Sequence, residues 1–181
     1  MSKARDNAIA PSAGYIFQFE IALVMLADLE KNKSISIEHV DDVAKVDEKG
    51  TILVTTQVKH SISASGSTYQ DTSLSLWRTI EIWITKLKTG TFNRQTKFIC
   101  ISNKEFSEKS LIWNFKKMSF EESIMKIKSL NDSLKEKLKT LKRSGSHIKK
   151  IISLIDFALL NQDLFKIVIN NLEISTTTFP K

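Results

Sequence analysis

Hydrophobic and polar positions fall first into a helical rhythm, then an alternating one, then a helical one again. From Pro11 and Ser12 to about Glu30, the residues Ile16, Phe19, Leu23 and Leu26 recur at three and four positions. On a helix that spacing gathers them into one apolar stripe. Glu20 lies at the stripe's margin, about 80° from its centre at 100° per residue, where a carboxylate points along an interface rather than straight into water.

Residues 35–40 then alternate as a strand, and Asp41 and Asp42 mark a bend. Val43, Ala44 and Val46 lead into Asp47-Glu48-Lys49-Gly50, a hairpin turn with glycine where positive φ is needed. In the return strand, residues 51–59, Ile52, Val54, Thr56 and Val58 take one face. Leu53, Thr55, Gln57 and Lys59 take the other, so Gln57 and Lys59 project side by side. Serines and a glycine make residues 61–68 a loop. A helix follows over about 73–88, with Leu76, Trp77, Ile80, Trp83, Ile84 and Leu87 in register and Gly90 as its stop signal. Residues 97–102 read as a buried strand.

From Ser119 onward the pattern is entirely helical. Ser119-Phe120-Glu121-Glu122 fits a capping box. Ile124, Ile127, Leu130, Leu134, Leu138 and Leu141 follow as a narrow stripe, the signature of core or of a dimer seam. Ser144-Gly145-Ser146 interrupts it, and helices are expected over about 148–160 and 162–172. The order predicts an α/β or α+β core over residues 1–118 with a helical extension of the same domain over 119–181.

Composition narrows the possibilities. At 181 residues, with 41% hydrophobic and 26% charged side chains, the chain can bury one core and is not disordered. No run approaches 18 apolar residues, so no membrane span or membrane partner is expected. Met1 to Asp6 lead into no signal-like apolar run, which points to the cytoplasm. One cysteine and three histidines leave no disulfide framework and no cysteine/histidine zinc cluster. The net charge of +7 lies wholly in the second half: residues 1–95 carry 11 basic and 11 acidic side chains, residues 96–181 carry 16 and 9. Residues 126–150 hold nine bases against Asp132 and Glu136. Such a density attracts polyanions or else solvates a helix face.

One polar constellation has chemical potential. If the hairpin pairs as drawn, Asp41 and Asp42 lie beside Gln57 and Lys59 at one end of the sheet, with Glu20 or Gln18 on the preceding helix. A one-residue change of register decides between Asp41 and Asp42. Magnesium takes oxygen ligands and keeps several waters, so one carboxylate with one or two neutral oxygens suffices. A neighbouring lysine can orient or help deprotonate a water that attacks a phosphodiester.

Asp, a hairpin, then (Asp/Glu/Gln)-x-Lys resembles the signature of the PD-(D/E)xK restriction-endonuclease-like superfamily, and Gln57-Val58-Lys59 resembles its Mrr-like Gln-x-Lys branch. Ala13-Gly14-Tyr15, Phe17-Gln18-Phe19, Glu38-x-x-Asp41-Asp42-Val43, Lys59-His60-Ser61, Leu76-Trp77 and Trp83 extend the similarity over roughly residues 12–105. The order is similar to the N-terminal double-strand DNA endonuclease modules of bacterial anti-phage defence effectors. The resemblance implies a restriction-endonuclease-like core and a Mg2+-dependent endodeoxyribonuclease, Mn2+ substituting. Asp42, Gln57 and the Val58 carbonyl would hold the metal, Lys59 would be the catalytic lysine, and Glu20 would be the helix-borne residue. The products implied are 5′-phosphate and 3′-hydroxyl ends. Double-stranded DNA, contacted by Lys135, Lys139, Lys142, Arg143, Lys149 and Lys150, a second copy of the chain, and a fused or separate sensor or activator domain would be the partners. The alternative is a nuclease-fold module without activity that binds DNA or oligomerises.

Other residues read more plainly. His60 suits packing or a loop hydrogen bond, and Cys100 a small core position. His39 and His147 have no partner at metal-ligand spacing. Trp77 and Trp83 fit a packed helix better than base stacking, and Glu38 an exposed strand position or a contact behind the ligands. Neither a Ser/His/Asp motif nor a phosphate-cradling glycine loop is present.

Overall fold

The structure, a computed structural model, describes residues 6–61, 69–140 and 145–177. They form two compact units that interleave along the chain. One holds residues 6–61, 92–106 and 171–177; the other holds 69–91, 107–140 and 145–170.

The first unit is a five-stranded mixed sheet with one helix on it. Helix α1 (Asp6–Ala27) precedes β1 (Lys33–Ile37), β2 (Val43–Asp47), β3 (Ile52–Lys59), β4 (Phe92–Ser102) and β5 (Leu172–Thr176). The strands stand side by side in sequence order. β1–β2 and β2–β3 are antiparallel, while β3–β4 and β4–β5 are parallel. Parallel neighbours need a long crossover, and the intervening segments supply one each.

β1 stops at Ile37, short of the expected residue 40. Glu38 takes φ 56° and its N–H donates to the Asp42 carbonyl at 3.1 Å, closing a tight turn. The second turn forms as its chemistry demands. Asp47 Oδ1 accepts the N–H groups of Thr51 at 2.8 Å and Lys49 at 2.9 Å, and Gly50 has φ 81°. Those bonds, Thr51's foremost, hold the Asp47 carboxyl below its usual range.

Helix α1 presents a different face from the one expected. Phe17, Ile21 and Ala22 are buried against Val43, Val58 and Ile101, with Met25 partly buried beside them. Ile16, Phe19, Leu23 and Leu26 point outward at 52–64% exposure. This helix is apolar around most of its circumference, so it carries two stripes. Periodicity alone cannot say which one meets the sheet. At its end Glu30 pairs with Lys45 at 3.0 Å and Lys33 at 3.1 Å, which draw its carboxyl down to about 2.

The second unit is helical: α2 (Leu74–Lys88), a short α3 (Leu111–Asn114), α4 (Phe120–Thr140), α5 (Ser146–Leu160) and α6 (Gln162–Asn170). α2 packs on α5 and α6, and α4 packs on α5. The capping box forms as expected, Ser119 N–H to Glu122 at 2.7 Å and Glu122 N–H to Ser119 Oγ at 3.1 Å. Ile124, Ile127 and Leu134 of the α4 stripe are buried core; Leu141 lies outside the described residues. The last helix ends at Asn170 rather than 172, because β5 begins there. Asn171 pins that start by donating Nδ2 to the Arg94 carbonyl at 2.8 Å and accepting the Phe98 N–H at 3.0 Å. Among the described residues, no helix is long and apolar enough to cross a membrane.

Candidate active site

The register of β2 on β3 sets the site. Val43 faces Thr56 and Ala44 faces Thr55, so Asp42, one residue before β2, falls opposite Gln57. Opposed residues share a face. Asp42 and Gln57 therefore lie on the face away from α1, whereas Val43, Val58 and Ile101 lie beneath α1.

Two donors converge on one oxygen. The Gln57 side-chain amide and the Val58 backbone N–H, the latter at 2.7 Å, both donate to Asp42 Oδ2. Among the described residues Asp42 Oδ1 accepts nothing, so the carboxylate is aimed by one oxygen and open at the other. Asp41 is occupied beside it, Oδ2 accepting the Thr55 hydroxyl at 2.7 Å. The two aspartates thus have separate duties, and Asp42 is the one that meets Gln57.

Lys59 follows two residues along the same face, half-buried, and its Nζ has no partner among the described residues. Its backbone is held from β4. Asn103 donates its N–H to the Lys59 carbonyl at 3.3 Å and its Nδ2 to the Ser61 carbonyl at 3.0 Å. Asn103 Oδ1 accepts the Ser61 N–H at 2.8 Å. Sequence reasoning missed Asn103; its signal was a polar side chain directly after a buried strand.

Helix α1 contributes differently from expectation. Glu20 is exposed on a helix that covers the Val58 face, and no hydrogen bond or ion pair joins it to Asp42 or Lys59 among the described residues. Gln18 lies within the buried arc, and its Oε1 is buried with no hydrogen-bond partner among the described residues. The ring of Phe17 meets His60 at 5.3 Å, which sets this turn of α1 beside the end of β3. His60 thus packs, as its position suggested.

The donor set suits a hard cation. Asp42 Oδ1 and the Gln57 side-chain oxygen are oxygen donors of the kind magnesium takes. The Val58 carbonyl joins them, since extended backbone turns a residue's N–H and C=O toward the same edge. Among the described residues no three or more His, Cys, Asp or Glu side chains gather to hold a metal, so this is a site of low negative charge.

Comparison with family models, curated proteins and solved structures finds no match. The resemblance to the restriction-endonuclease-like superfamily therefore rests on the residues above.

The basic segment is less uniform than its composition. Lys135 pairs with Asp156 at 3.2 Å and Lys139 with Glu136 at 2.6 Å. Lys142 and Arg143 lie outside the described residues. Lys149 and Lys150 are exposed in the first turns of α5, the positive end of the helix dipole, where lysine is disfavoured unless an anion is nearby. Lys150 lines a cavity of about 730 Å³ with Arg78, Glu81, Ser75 and Ser153, and Arg78 there pairs with Glu81 at 3.5 Å. Trp77 and Trp83 are 0% and 1% exposed and offer no surface for base stacking.

Proposed function

We propose that this chain is a metal-dependent DNA endonuclease domain that hydrolyses phosphodiester bonds of double-stranded DNA, the effector part of a bacterial anti-phage system. The observation that carries the reading is the aimed carboxylate: Asp42 held through Oδ2 by Gln57 and Val58, with Lys59, which has no partner among the described residues, on the same face. Asp42, the Gln57 oxygen and the Val58 carbonyl would hold magnesium or manganese. The ion would supply Lewis-acid polarisation of the phosphate and a more acidic bound water. Lys59 orients the attacking water and neutralises charge on the phosphate, leaving 5′-phosphate and 3′-hydroxyl ends. Lys149 and Lys150 are exposed cations that would contact phosphates without reading sequence. One such site cuts one strand, so a double-strand break takes two copies.

A second reading has its own observation. The closed Gln57–Asp42 hydrogen bond and the low carboxylate count suit a nuclease-fold module that binds DNA or oligomerises without hydrolysis. Supercoiled plasmid incubated with the purified chain in magnesium, manganese or EDTA separates the two. Divalent-dependent nicking or linearisation, lost in Asp42→Ala, supports the nuclease. DNA binding without cleavage under every condition supports the module.

A further inference from the structure

We propose that the outward stripe of α1 is a docking face for the same stripe on a second copy of this chain, the two helices packing antiparallel. Eight large hydrophobic side chains are exposed among the described residues, and six of them, Tyr15, Ile16, Phe19, Leu23, Val24 and Leu26, lie on this one helix. Met125 and Leu160 are the others, each alone on its own helix. Scattered exposed hydrophobics are ordinary, but a contiguous set on one helix face marks an interaction surface.

Spacing and area favour a second copy. Ile16, Phe19, Leu23 and Leu26 are separated by three, four and three residues, the interval of a helix–helix seam. That interval reads the same in both directions. An antiparallel copy with its two-fold axis near residue 21 sets Ile16 opposite Leu26 and Phe19 opposite Leu23, leaving none of these four positions unmatched. Such an isologous contact closes on itself. Five of the six side chains, all but Val24, fall within about 100° of the helix circumference, and each is more than half exposed, which gives on the order of 600 Å² per copy against the roughly 800 Å² per partner of a standard interface. The four seam positions carry no charge, and Glu20 sits only at their margin, so a charged partner finds little to pair with. The docking face does not depend on nuclease chemistry. It would also supply the two sites that a double-strand break takes.

Sedimentation velocity of the full chain from a few to about 100 μM tests it. The wild type is expected at twice the monomer mass, and Phe19→Asp as a monomer with dissociation strengthened at least about 100-fold. Leu160→Asp, the same change on an exposed residue of α5, is expected to stay dimeric. If Phe19→Asp loses its helical circular dichroism, Leu26→Lys replaces it. Orientation is read by oxidation: Phe19→Cys mixed with Leu23→Cys gives a disulfide-linked pair, and neither does so alone. A wild type that is monomeric throughout, dimers that survive both Phe19→Asp and Leu26→Lys, or disulfides formed by each cysteine variant with itself would overturn the proposal.

Discussion

Asp42 Oδ2 accepts the backbone N–H of Val58 at 2.7 Å, across the gap where β2 has not yet begun and β3 is about to end. A side chain bonded to a neighbouring strand's backbone is fixed as firmly as the strand itself. The Gln57 amide shares that oxygen, so the direction of the carboxylate is set before any ligand arrives.

Asp42→Ala should therefore cost stability as well as function. It leaves the Val58 N–H and the Gln57 amide without their acceptor, a loss of about 1–3 kcal/mol. Urea unfolding with and without 10-fold changes in magnesium measures both effects. The wild type should gain stability with the ion and Asp42→Ala should not.

Lys59→Ala should behave differently. Its ammonium has no partner among the described residues, so stability should stay within about 0.5 kcal/mol of wild type. Its removal should lower strand cleavage by at least about 100-fold. Thermal melts and gel-based cleavage read the two separately.

Gln57→Glu replaces the amide that donates to Asp42 with a carboxylate beside a carboxylate, at a position 6% exposed. Without divalent ion the variant should melt lower at neutral pH, because the two charges repel in a poorly solvated place. Manganese or magnesium should restore it beyond the gain seen for the wild type. A melting temperature indifferent to the ion would count against a metal at this position.

Part of this site was legible because hairpin chemistry is local: Asp47 and Gly50 fix the turn. The pairing of Asp42 with Gln57 was not, because the register shifts by one residue between Lys45 and Val46, and without that shift Asp41 would fall opposite Gln57. β5 was not legible: Leu172-Glu173-Ile174-Ser175-Thr176 follows α6 with a single residue between, and its partner β4 is some 70 positions away. The buried face of α1 was not legible either. Phe17, Ile21 and Ala22 make as good a stripe as Ile16, Phe19 and Leu23, and only the sheet chooses between them. That choice leaves Glu20 exposed and Gln18 within the buried arc.

Asn103 holds the backbone on both sides of His60, through the Lys59 carbonyl and through Ser61. Asn103→Ala removes two side-chain bonds to Ser61, about 1–2 kcal/mol together, and loosens the backbone just past Lys59. Cleavage at saturating DNA should fall severalfold while the DNA dissociation constant holds. Asn103→Asp, which keeps the acceptor for the Ser61 N–H, should recover part of it.

Two carboxyls give opposite pH responses. Burial pushes Asp71 up, although the Leu111 N–H bonds it at 2.7 Å. Its stabilising protonated form is lost as pH rises from the ordinary aspartate value through the raised one. Asp71→Asn keeps an acceptor for Leu111 and should be the more stable chain at pH 7, with the difference gone near pH 3. Glu30, drawn from 4.5 to about 2 by Lys45 and Lys33, contributes above pH 4.5 and loses that contribution as pH falls toward 2. Glu30→Gln should flatten the acid limb in that window, and the effect should shrink in high salt because the pairs are exposed. Melting curves from pH 2 to 7 at two salt concentrations resolve both.

The central claim is that Asp42, Gln57 and Lys59 form a hydrolytic centre rather than a structural corner. Binding and cleavage of one duplex DNA, measured in the same reactions with manganese for the wild type and Lys59→Ala, test it most directly. Equal binding with cleavage confined to the wild type is the predicted result. Cleavage by Lys59→Ala at the wild-type rate would contradict it.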